Sequence, residues 1–302
     1  MTRFMMMVGL VGSGKSTEAD WLSEFYGANI HSSDRLREEL FGDVNENSKN
    51  DELFRELHRR IKVDLSNGSN VIYDATNINH KKRKAFLDGL SKIDCEKICY
   101  LIATPYEKCL KQNKLRDRQV PEHVIERMYK SIYIPQYYEG WDEIHLIYST
   151  DGYKFDTNEL FNGECGLNHI NQDNPNHTLT IGQHCLKCAA ISEVLSEDFQ
   201  LSMAALYHDI GKKFTKQFKN AKGEDTEVAH YYNHHLVSAY DALFYLKDLC
   251  KDDILAITNY IQWHMQPFFI NSEKAKNKFI KLVGQECYNK LMVLHESDVK
   301  AK

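Results

Sequence analysis

The sequence lacks the features that define several broad classes of protein. No apolar run in its 302 residues is long enough to span a bilayer. The opening segment MTRFMMMVGL lacks the basic, apolar and small-residue order of a signal peptide. Eight cysteines in a chain of this length do not make a disulfide scaffold. These absences predict a cytoplasmic protein with no membrane partner.

The sequence also lacks a large excess of charge of one sign. The net charge is −5, and residues 1–150 contain 22 basic and 23 acidic side chains. Neither half therefore has the positive field of a protein that coats nucleic acid. Basic stretches occur at KKRK (81–84) and between Lys111 and Arg118. Charge runs of this kind usually form a solvated helix face, so they are weak evidence for nucleic-acid binding.

The distribution of apolar residues predicts two domains. In residues 1–150, strand-like runs alternate with helical segments, which is typical of an α/β domain with a mostly parallel sheet flanked by helices. Residues 151–169 show no periodicity and predict a connector. Residues 170–302 contain only helical patterns and predict an all-α domain. The strand-like runs are 3–9, 70–76, 97–104 and 143–149.

A glycine-rich loop near the N-terminus matches a phosphate-binding motif in full. The segment GLVGSGKST follows a predicted strand and begins a predicted helix. Its glycines allow backbone N–H groups to surround phosphate oxygens, while Lys15 would reach the β- and γ-phosphates and Ser16 would bind Mg²⁺. We therefore expect ATP or another nucleoside triphosphate with Mg²⁺, bound by Gly9, Gly12, Ser13, Gly14, Lys15, Ser16 and Thr17.

Asp34 and Arg37 form a possible catalytic pair at the start of a predicted helix. Their spacing of three residues places the two side chains near one another on the first turn. The carboxylate could take the proton from an acceptor hydroxyl, and the arginine could hold a neighbouring phosphate. An N-cap aspartate beside a surface arginine is the simpler alternative.

Two further segments carry candidate residues for phosphoryl transfer. Asp74, Thr76 and Asn77 follow a predicted buried strand, at the edge of the sheet where open α/β folds bind ligands. Arg116 and Arg118 precede a helix that begins with proline. Either arginine could close over the transferred phosphoryl group and stabilise its charge.

Histidine is abundant, and half of the 14 histidines lie in residues 177–264. Neutral imidazole binds Mn, Fe, Co, Ni or Zn, and an adjacent carboxylate adds negative charge. The segment ALYHDIGKK places His208 and Asp209 together at a predicted helix end, while His230 and His234 are four residues apart on one helix. A single buried histidine is usually structural. Several in one helical bundle could bind one or two metal ions that activate water.

The segments GLVGSGKST, SSDRLR, DATNIN and RDRQVPEHVIERMYK resemble the 5′-hydroxyl polynucleotide kinases of phages and of RNA end-healing systems. The resemblance covers about residues 1–150. It implies that Asp34 is the general base and that Arg37 holds the phosphate next to the acceptor 5′-hydroxyl. The D-x-D phosphatase motif that often accompanies phage kinases does not occur in this sequence. The resemblance further implies that Lys15 and Ser16 bind ATP and its metal ion, and that Arg116 or Arg118 acts from a lid.

The pattern His…His-Asp…His…His…Asp resembles the HD-superfamily metal-dependent phosphohydrolases. The segments NQDNPNHTLTIGQH, HDIGKKFTK and AHYYNHHLVSAYDA are most similar to the HD domain of bacterial tRNA nucleotidyltransferases. The resemblance covers about residues 170–302. Lys212 could contact phosphate, although an exposed lysine is the plainer interpretation, and His177 is expected to be structural or to face substrate. The implied ligands are His184, His208, Asp209 and Asp298 for one metal, and His234 and His264 for a second.

The two motif sets together predict an enzyme that heals nucleic-acid ends, with RNA favoured over DNA. Sealing an RNA with a 5′-hydroxyl and a 2′,3′-cyclic phosphate requires phosphorylation of one end and hydrolysis at the other, after which a ligase could act. The combination resembles bacterial end-healing proteins that place the HD domain first. Two alternatives remain open: a nucleoside or sugar kinase fused to a nucleotide phosphohydrolase, and a nucleotide-binding sensor whose HD domain only binds ligand.

Overall fold

A computed structural model of the chain describes residues 1–46, 48–175 and 177–302. It contains an N-terminal parallel sheet flanked by helices and a C-terminal helical part, which confirms the fold class predicted from the sequence. Among the described residues, no helix combines the length and the apolar character needed to cross a lipid bilayer.

The chain divides into two compact units. The first consists of Met1–Met128 and Pro135–Ser149, and the second consists of Tyr129–Ile134 and Thr150–Lys302. The short segment Tyr129–Ile134 therefore packs with the helical unit although it precedes the last strand of the sheet. One of its contacts is the hydrogen bond from the Ile134 backbone N–H to the Gln262 side-chain oxygen, at 3.0 Å.

The first unit is built on five parallel strands, β1 (Thr2–Val8), β2 (Asn29–Ser32), β3 (Val71–Asp74), β4 (Cys95–Ala103) and β5 (Glu143–Tyr148). Their order in the sheet is β2-β3-β1-β4-β5. Successive residues of β1, β3 and β4 are buried, so both faces of the central sheet are covered. β2 is not among the predicted strand runs, because its NIHS sequence is short and largely polar.

Helices connect the parallel strands, because parallel strands require crossover connections. The 17-residue helix between β2 and β3 buries Leu53, Leu57, Ile61 and Leu65, which recur every four residues and so share one face. The helices that begin in this unit are α1 (Lys15–Tyr26), α2 (Ser33–Phe41), α3 (Asn50–Ser66), α4 (His80–Asp88), α5 (Tyr106–Lys114) and α6 (Glu122–Tyr129).

The loops that follow β1 and β3 meet at the carboxyl edge of the sheet, because these strands are neighbours in parallel register. The Gly9 backbone N–H donates to the Thr76 carbonyl at 3.1 Å. The Asn77 side-chain amide donates to the Met7 carbonyl at 2.9 Å. The glycine-rich loop and the segment after β3 are thus joined at the edge where open α/β sheets bind ligands.

A buried ion pair supports the loop after β3. Arg83 of α4 is only 1% exposed and donates to both carboxylate oxygens of Glu139, at 2.6 and 2.7 Å. Its remaining nitrogen donates to the Asn77 carbonyl at 2.9 Å. Trp141 donates a further hydrogen bond to Glu139 at 3.2 Å. Arg83 belongs to the KKRK stretch, and for this residue the expectation of a solvated helix face is wrong.

The second unit is helical, as predicted, and also contains one short antiparallel pair, β6 (Gln217–Lys219) with β7 (Asp225–His230). The pair was not predicted because its strands are short and mostly polar. The helices are α7 (Thr157–Asn162), α8 (Ile181–Ser196), α9 (Phe199–Tyr207), α10 (Lys212–Thr215), α11 (His234–Tyr245), α12 (Lys251–Trp263), α13 (Glu273–Val283) and α14 (Gln285–Lys300).

We expect Arg83→Met to lower the free energy of unfolding of the first unit by about 3–5 kcal/mol, because it leaves the Glu139 carboxylate buried without its partner. Urea unfolding followed by circular dichroism measures the change. Lys84→Met is the matched control, since its exposed pair with Asp88 contributes only about 0.3–0.5 kcal/mol. Equal effects of the two substitutions would contradict a structural role for the buried pair.

Candidate nucleotide and metal sites

The glycine-rich loop of residues 9–14 connects β1 to the start of α1. Gly12 has a φ of +77°, and an added Cβ would lie 2.4 Å from the Cys109 carbonyl oxygen of α5, so only glycine fits at this position. The Lys15 ammonium group is buried and donates to the Leu10 carbonyl at 2.6 Å. Burial lowers the pKa of Lys15. Lys15 is therefore held against the glycine-rich loop, where a bound phosphate would also lie.

Ser16 and Asp74 come together next to this loop. The Ser16 hydroxyl donates to the Asp74 carboxylate at 3.0 Å, and Asp74 is 7% exposed. A hydroxyl beside a carboxylate supplies the hard oxygen ligands that Mg²⁺ prefers. Asp74 was predicted as a substrate-binding residue, and its contact with Ser16 leads us to predict that it also contributes to binding Mg²⁺. Thr76 and Asn77 lie beside the loop through the hydrogen bonds described above.

Asp34 lies among the predicted lid arginines. Its carboxylate is 2.7 Å from the Arg118 guanidinium and 3.9 Å from that of Arg116. Asp34 also raises the pKa of Lys15 and Arg116 lowers it, although burial is the larger influence on that pKa. Lys15, Asp34 and Arg116 are therefore within electrostatic range of one another. The structure thus places both predicted lid arginines beside the candidate base.

The simpler alternative for Asp34 and Arg37 is wrong in both parts. Ser32 is the N-cap of α2, and Asp34 lies inside the first turn. Arg37 is 5% exposed, and its guanidinium donates to the Glu46 carbonyl and to the Asn50 side chain. Its Nε is buried without a hydrogen-bond partner in the described part of the chain. Burial lowers the pKa of Arg37.

Two positioning residues of this unit were missed in the sequence. The Thr104 hydroxyl donates to the Ser13 carbonyl at 2.8 Å and so holds the glycine-rich loop. The Asn113 side chain accepts from the Val120 N–H at 3.0 Å and donates to the Val120 carbonyl at 2.9 Å. These two hydrogen bonds between Asn113 and Val120 close residues 114–119 into a loop, and that loop carries both predicted lid arginines. Neither residue belongs to a motif, and both contacts depend on chain geometry that spacing does not reveal.

We expect Asp74→Asn to raise the Mg²⁺ concentration needed for half-maximal ATP binding by about 10- to 100-fold, because one negative charge beside Ser16 is lost. Binding of a fluorescent ATP analogue at a series of Mg²⁺ concentrations measures this. Asp88→Asn is the matched control, since Asp88 is an exposed carboxylate on α4 of the same unit. An unchanged Mg²⁺ requirement in Asp74→Asn would exclude this carboxylate from the metal site.

The second unit collects the predicted metal ligands into one cluster, which we call the HD cluster. Its members come from five helices or their ends, and each is 7% exposed or less. Two groups of three have ligand atoms within 4.8 Å of one another and could hold a metal ion. Burial of so many polar groups is costly unless they are paired or bind a metal. The members are His184, His208, Asp209, His234, His264 and Asp298.

The Asp209 carboxylate lies at the centre of the HD cluster. One of its oxygens is 3.3 Å from the Nε2 atoms of both His184 and His208. The other oxygen is 3.1 Å from Nε2 of His234 and 3.7 Å from Nε2 of His264. The two oxygens therefore face the two histidine pairs that the sequence assigned to separate metals. This arrangement suits a carboxylate shared between two adjacent ions.

Asp298 completes one side of the cluster. Its carboxylate is 3.1 Å from Nε2 of His184 and 3.9 Å from Nε2 of His208. Although it is close to the end of the chain, Asp298 is part of α14 and is 7% exposed. With His184 and His208 it forms one of the two groups that could hold a metal ion.

The protonation of the ring nitrogens fits a cation. The Nδ1 atoms of His208, His234 and His264 each lie 2.7 Å from the carbonyl oxygen of the residue three positions earlier. Since a carbonyl only accepts, each Nδ1 carries the hydrogen, and the Nε2 of a neutral ring is an acceptor. The Nε2 atoms of His234 and His264 are 3.1 Å apart and both face Asp209. Acceptors that converge in this way repel one another unless a cation lies among them.

Burial and the neighbouring ionisable side chains both shift the pKa values of the HD cluster. Burial raises the pKa of Asp209, but the neighbouring His208 and Lys212 outweigh it and hold that pKa well below its usual range. Burial alone would lower the pKa of His184, whereas hydrogen bonds to Asp209 and Asp298 raise it to about 9. The cluster thus favours ionised carboxylates together with added positive charge, which a divalent metal would supply.

A cavity of about 500 Å³ opens beside the HD cluster. Lys212, which is 5% exposed, borders it and donates to Asp209 at 2.6 Å and to the Gln172 side chain at 2.8 Å. The interpretation of Lys212 as an exposed lysine is therefore wrong.

His177 also lines the cavity, and burial lowers its pKa to about 4. Gln172 was missed in the sequence, because its contact with Lys212 spans 40 residues.

We expect Asp209→Asn to reduce the affinity for Mn²⁺ at least about tenfold, because the shared carboxylate loses its charge. Metal content after dialysis against Mn²⁺ and metal-free buffer, measured by mass spectrometry, tests this. The control is Asp225→Asn, an exposed aspartate of β7 in the same unit. A variant that keeps the wild-type fold by circular dichroism and the wild-type metal content would disprove the site.

Two family models match separate parts of the chain. Residues 4–135 match the family model described as AAA domain. Residues 181–299 match the model described as HD domain. These matches confirm the predicted combination of a P-loop domain with an HD domain, and this pairing indicates an enzyme. A P-loop implies ATP with Mg²⁺, and an HD domain implies a divalent metal, which fits the donor set of the HD cluster.

Individual relatives match only part of the chain. L-seryl-tRNA(Sec) kinase of Methanococcus maripaludis is 31% identical over 121 residues, which is 40% of this chain and 45% of that kinase. The Pnkp1/Rnl/Hen1 RNA repair complex contains a chain with 20% identity and a TM-score of 0.39, covering 42% of each chain. A gluconokinase of Sinorhizobium meliloti has 13% identity and a TM-score of 0.37, covering 48% of this chain and 82% of its own.

Proposed function

We propose that the protein heals RNA ends, with a 5′-hydroxyl kinase in the first unit and a metal-dependent phosphoesterase in the second. The observation that carries the proposal is the presence of two complete phosphate sites of opposite chemistry in one chain. One offers a P-loop beside a carboxylate and two arginines, and the other offers the HD cluster. A nuclease that leaves a 5′-hydroxyl and a 2′,3′-cyclic phosphate would create a substrate for both.

In the first unit, the γ-phosphoryl group of ATP moves to the 5′-oxygen of the acceptor strand. The bond between the γ-phosphorus and the β-γ bridging oxygen breaks, and a bond from phosphorus to the 5′-oxygen forms. Asp34 accepts the hydroxyl proton, and Arg37 holds the adjacent phosphate of the strand. Arg116 and Arg118, now beside Asp34, stabilise the charge of the transferred group from the lid.

An RNA acceptor fits the surroundings of Asp34. The Asp34 side chain is 43% exposed, so a hydroxyl on a large molecule can reach it. Arg37, three residues after Asp34 on the same helix, would pair with a phosphate diester next to the acceptor hydroxyl, a group that a nucleoside or a sugar lacks. One relative is also named for a kinase whose substrate is an aminoacylated tRNA.

In the second unit, water opens the cyclic phosphate and a second water removes the remaining phosphate as inorganic phosphate. The HD cluster would hold a divalent metal, and the chemistry that such an ion would supply is a lower pKa for a bound water and a positive charge for a phosphate oxygen. Asp209 holds the histidine pairs together, and the backbone carbonyls orient His208, His234 and His264. Lys212 places its positive charge at the cavity wall, where it would pair with a phosphate oxygen. A ligase would then join the healed ends.

The proposal is tested with an RNA that carries a 5′-hydroxyl and a 2′,3′-cyclic phosphate, incubated with ATP, Mg²⁺ and Mn²⁺. Gel electrophoresis and mass spectrometry of the products report each end separately. We expect Asp34→Ala to lower 5′-phosphorylation at least about 100-fold without affecting the 3′ end. His208→Ala should have the reverse effect, because each substitution removes a group from only one site.

Three outcomes would overturn this function. Unchanged RNA ends after a screen of Mn²⁺, Fe²⁺, Co²⁺, Ni²⁺ and Zn²⁺ would contradict both activities. Phosphorylation of free nucleosides or sugars in preference to the RNA would indicate a small-molecule kinase. Tight ATP binding without turnover of any substrate would indicate a nucleotide sensor. A DNA strand with a 5′-hydroxyl and a 3′-phosphate, assayed in parallel with an RNA that carries the same two ends, separates a preference for RNA from general action on nucleic-acid ends.

A further inference from the structure

Aromatic side chains line part of the cavity beside the HD cluster. His230 and Tyr232 are among them, and so are Phe268 and Phe269. We call these four residues the aromatic rim. Neither the P-loop chemistry nor the metal chemistry uses them, because none is a ligand of the HD cluster and none carries a permanent charge.

The rings of the aromatic rim are unusually exposed for their type. Phe269 is 65% exposed, Phe268 is 42% exposed and Tyr232 is 40% exposed. Leaving such rings in water forfeits the stabilisation that burial would give. Exposed phenylalanines scattered over a surface need no explanation. Here they converge on a cavity that also contains candidate metal ligands, so a ligand that covers them is the simplest account.

The rim lies within a short distance of the HD cluster along the chain. Tyr232 precedes His234 by two residues, which limits the separation of their Cα atoms to about 8 Å. Phe268 follows His264 by four residues, within the 3-10 helix Gln266–Phe269. A phosphate at the cluster and an aromatic group on the rim could thus belong to one small molecule, on the length scale of a nucleotide.

Three of the four rings also contact another aromatic ring of the protein. The His230 and Tyr232 rings are parallel within 4°, with centroids 5.5 Å apart. The Phe268 ring packs edge-on against His295 at 4.3 Å. Rings packed in this way lose little conformational entropy when they stack on a flat ligand, which favours binding.

We propose that the aromatic rim is a nucleobase subsite, which stacks the base of the terminal nucleotide while its phosphate lies at the HD cluster. This inference rests on the proposed function and names its substrate class as a phosphate attached to a nucleoside rather than a bare sugar phosphate. The positive charge of Lys212 and of a bound metal complements the phosphate, and the apolar rings complement the base. Stacking is tolerant of base identity, because every base has a flat π-face.

The test compares two ligands that differ only in the base. Full-length protein, with its P-loop saturated by a non-hydrolysable ATP analogue and Mg²⁺ and its HD cluster supplied with Mn²⁺, is titrated calorimetrically with adenosine 3′-monophosphate and with ribose 3-phosphate. Both ligands are used as phosphonates, in which a methylene group replaces the ester oxygen, so that no hydrolysis interferes; they keep the names of the parent phosphates. We expect the adenosine compound to bind at least about tenfold more tightly, since stacking on an aromatic side chain has effects of this size.

Three variants separate stacking from a structural role. Phe269→Ala should weaken binding of adenosine 3′-monophosphate about 5- to 100-fold and leave ribose 3-phosphate unchanged. Phe269→Trp should restore the preference, because another flat ring is supplied. Phe218→Ala is the matched control, since Phe218 is 46% exposed on β6 of the same unit and does not line the cavity.

The outcomes distinguish this subsite from the proposed function. Equal binding of the two ligands, or no binding of adenosine 3′-monophosphate, would overturn the subsite even if the cyclic RNA end is hydrolysed. A clear preference for the base that Phe269→Ala abolishes would support the subsite even if no hydrolysis occurs in the RNA assay. Loss of binding in Phe218→Ala as well would also count against the subsite, because the effect would then not be specific to the rim.

Discussion

The buried carboxylate of Asp209 is the constraint on which the helical unit depends. Four Nε2 atoms lie within 3.7 Å of its two oxygens, and three of these belong to rings whose Nδ1–H is used by a backbone carbonyl. Of the described side chains, Lys212 is the one with a permanent positive charge in contact with this carboxylate. Several helices must therefore converge on a charge whose burial costs several kcal/mol without compensation. Metal binding and the packing of this unit are linked for that reason.

The two units differ in the groups that they offer to a phosphate. The P-loop binds phosphate through backbone N–H groups and Lys15, which its own loop already holds in place. The HD cluster relies on side chains from distant helices, and the histidine tautomers are set by the backbone. In both units, polar groups are arranged before the substrate binds, so little reorganisation is needed when the phosphate arrives.

The parts of the sites that follow from sequence are those with local or repeated signals. The P-loop is contiguous, and a histidine next to an aspartate at a helix end is visible without coordinates. The contacts of Arg83 with Glu139 and of Lys212 with Gln172 span 56 and 40 residues, and no pattern links these partners. The aromatic rim was not predicted either, because exposure on a cavity wall is a property of the fold. Long-range polar contacts and concave surfaces cannot be predicted from the spacing of residues along the sequence.

The burial of Arg83 has a practical consequence for mapping contacts with RNA. Lys81 and Lys82 are exposed, while the arginine that follows them is enclosed. Replacing all four residues of KKRK together, as charge-reversal scans commonly do, would combine a surface change with damage to the interior. Such a block mutant would be scored as defective in RNA contact whether or not these lysines ever meet the strand. Only single replacements that spare position 83 can test whether the lysines of this stretch contact an acceptor strand.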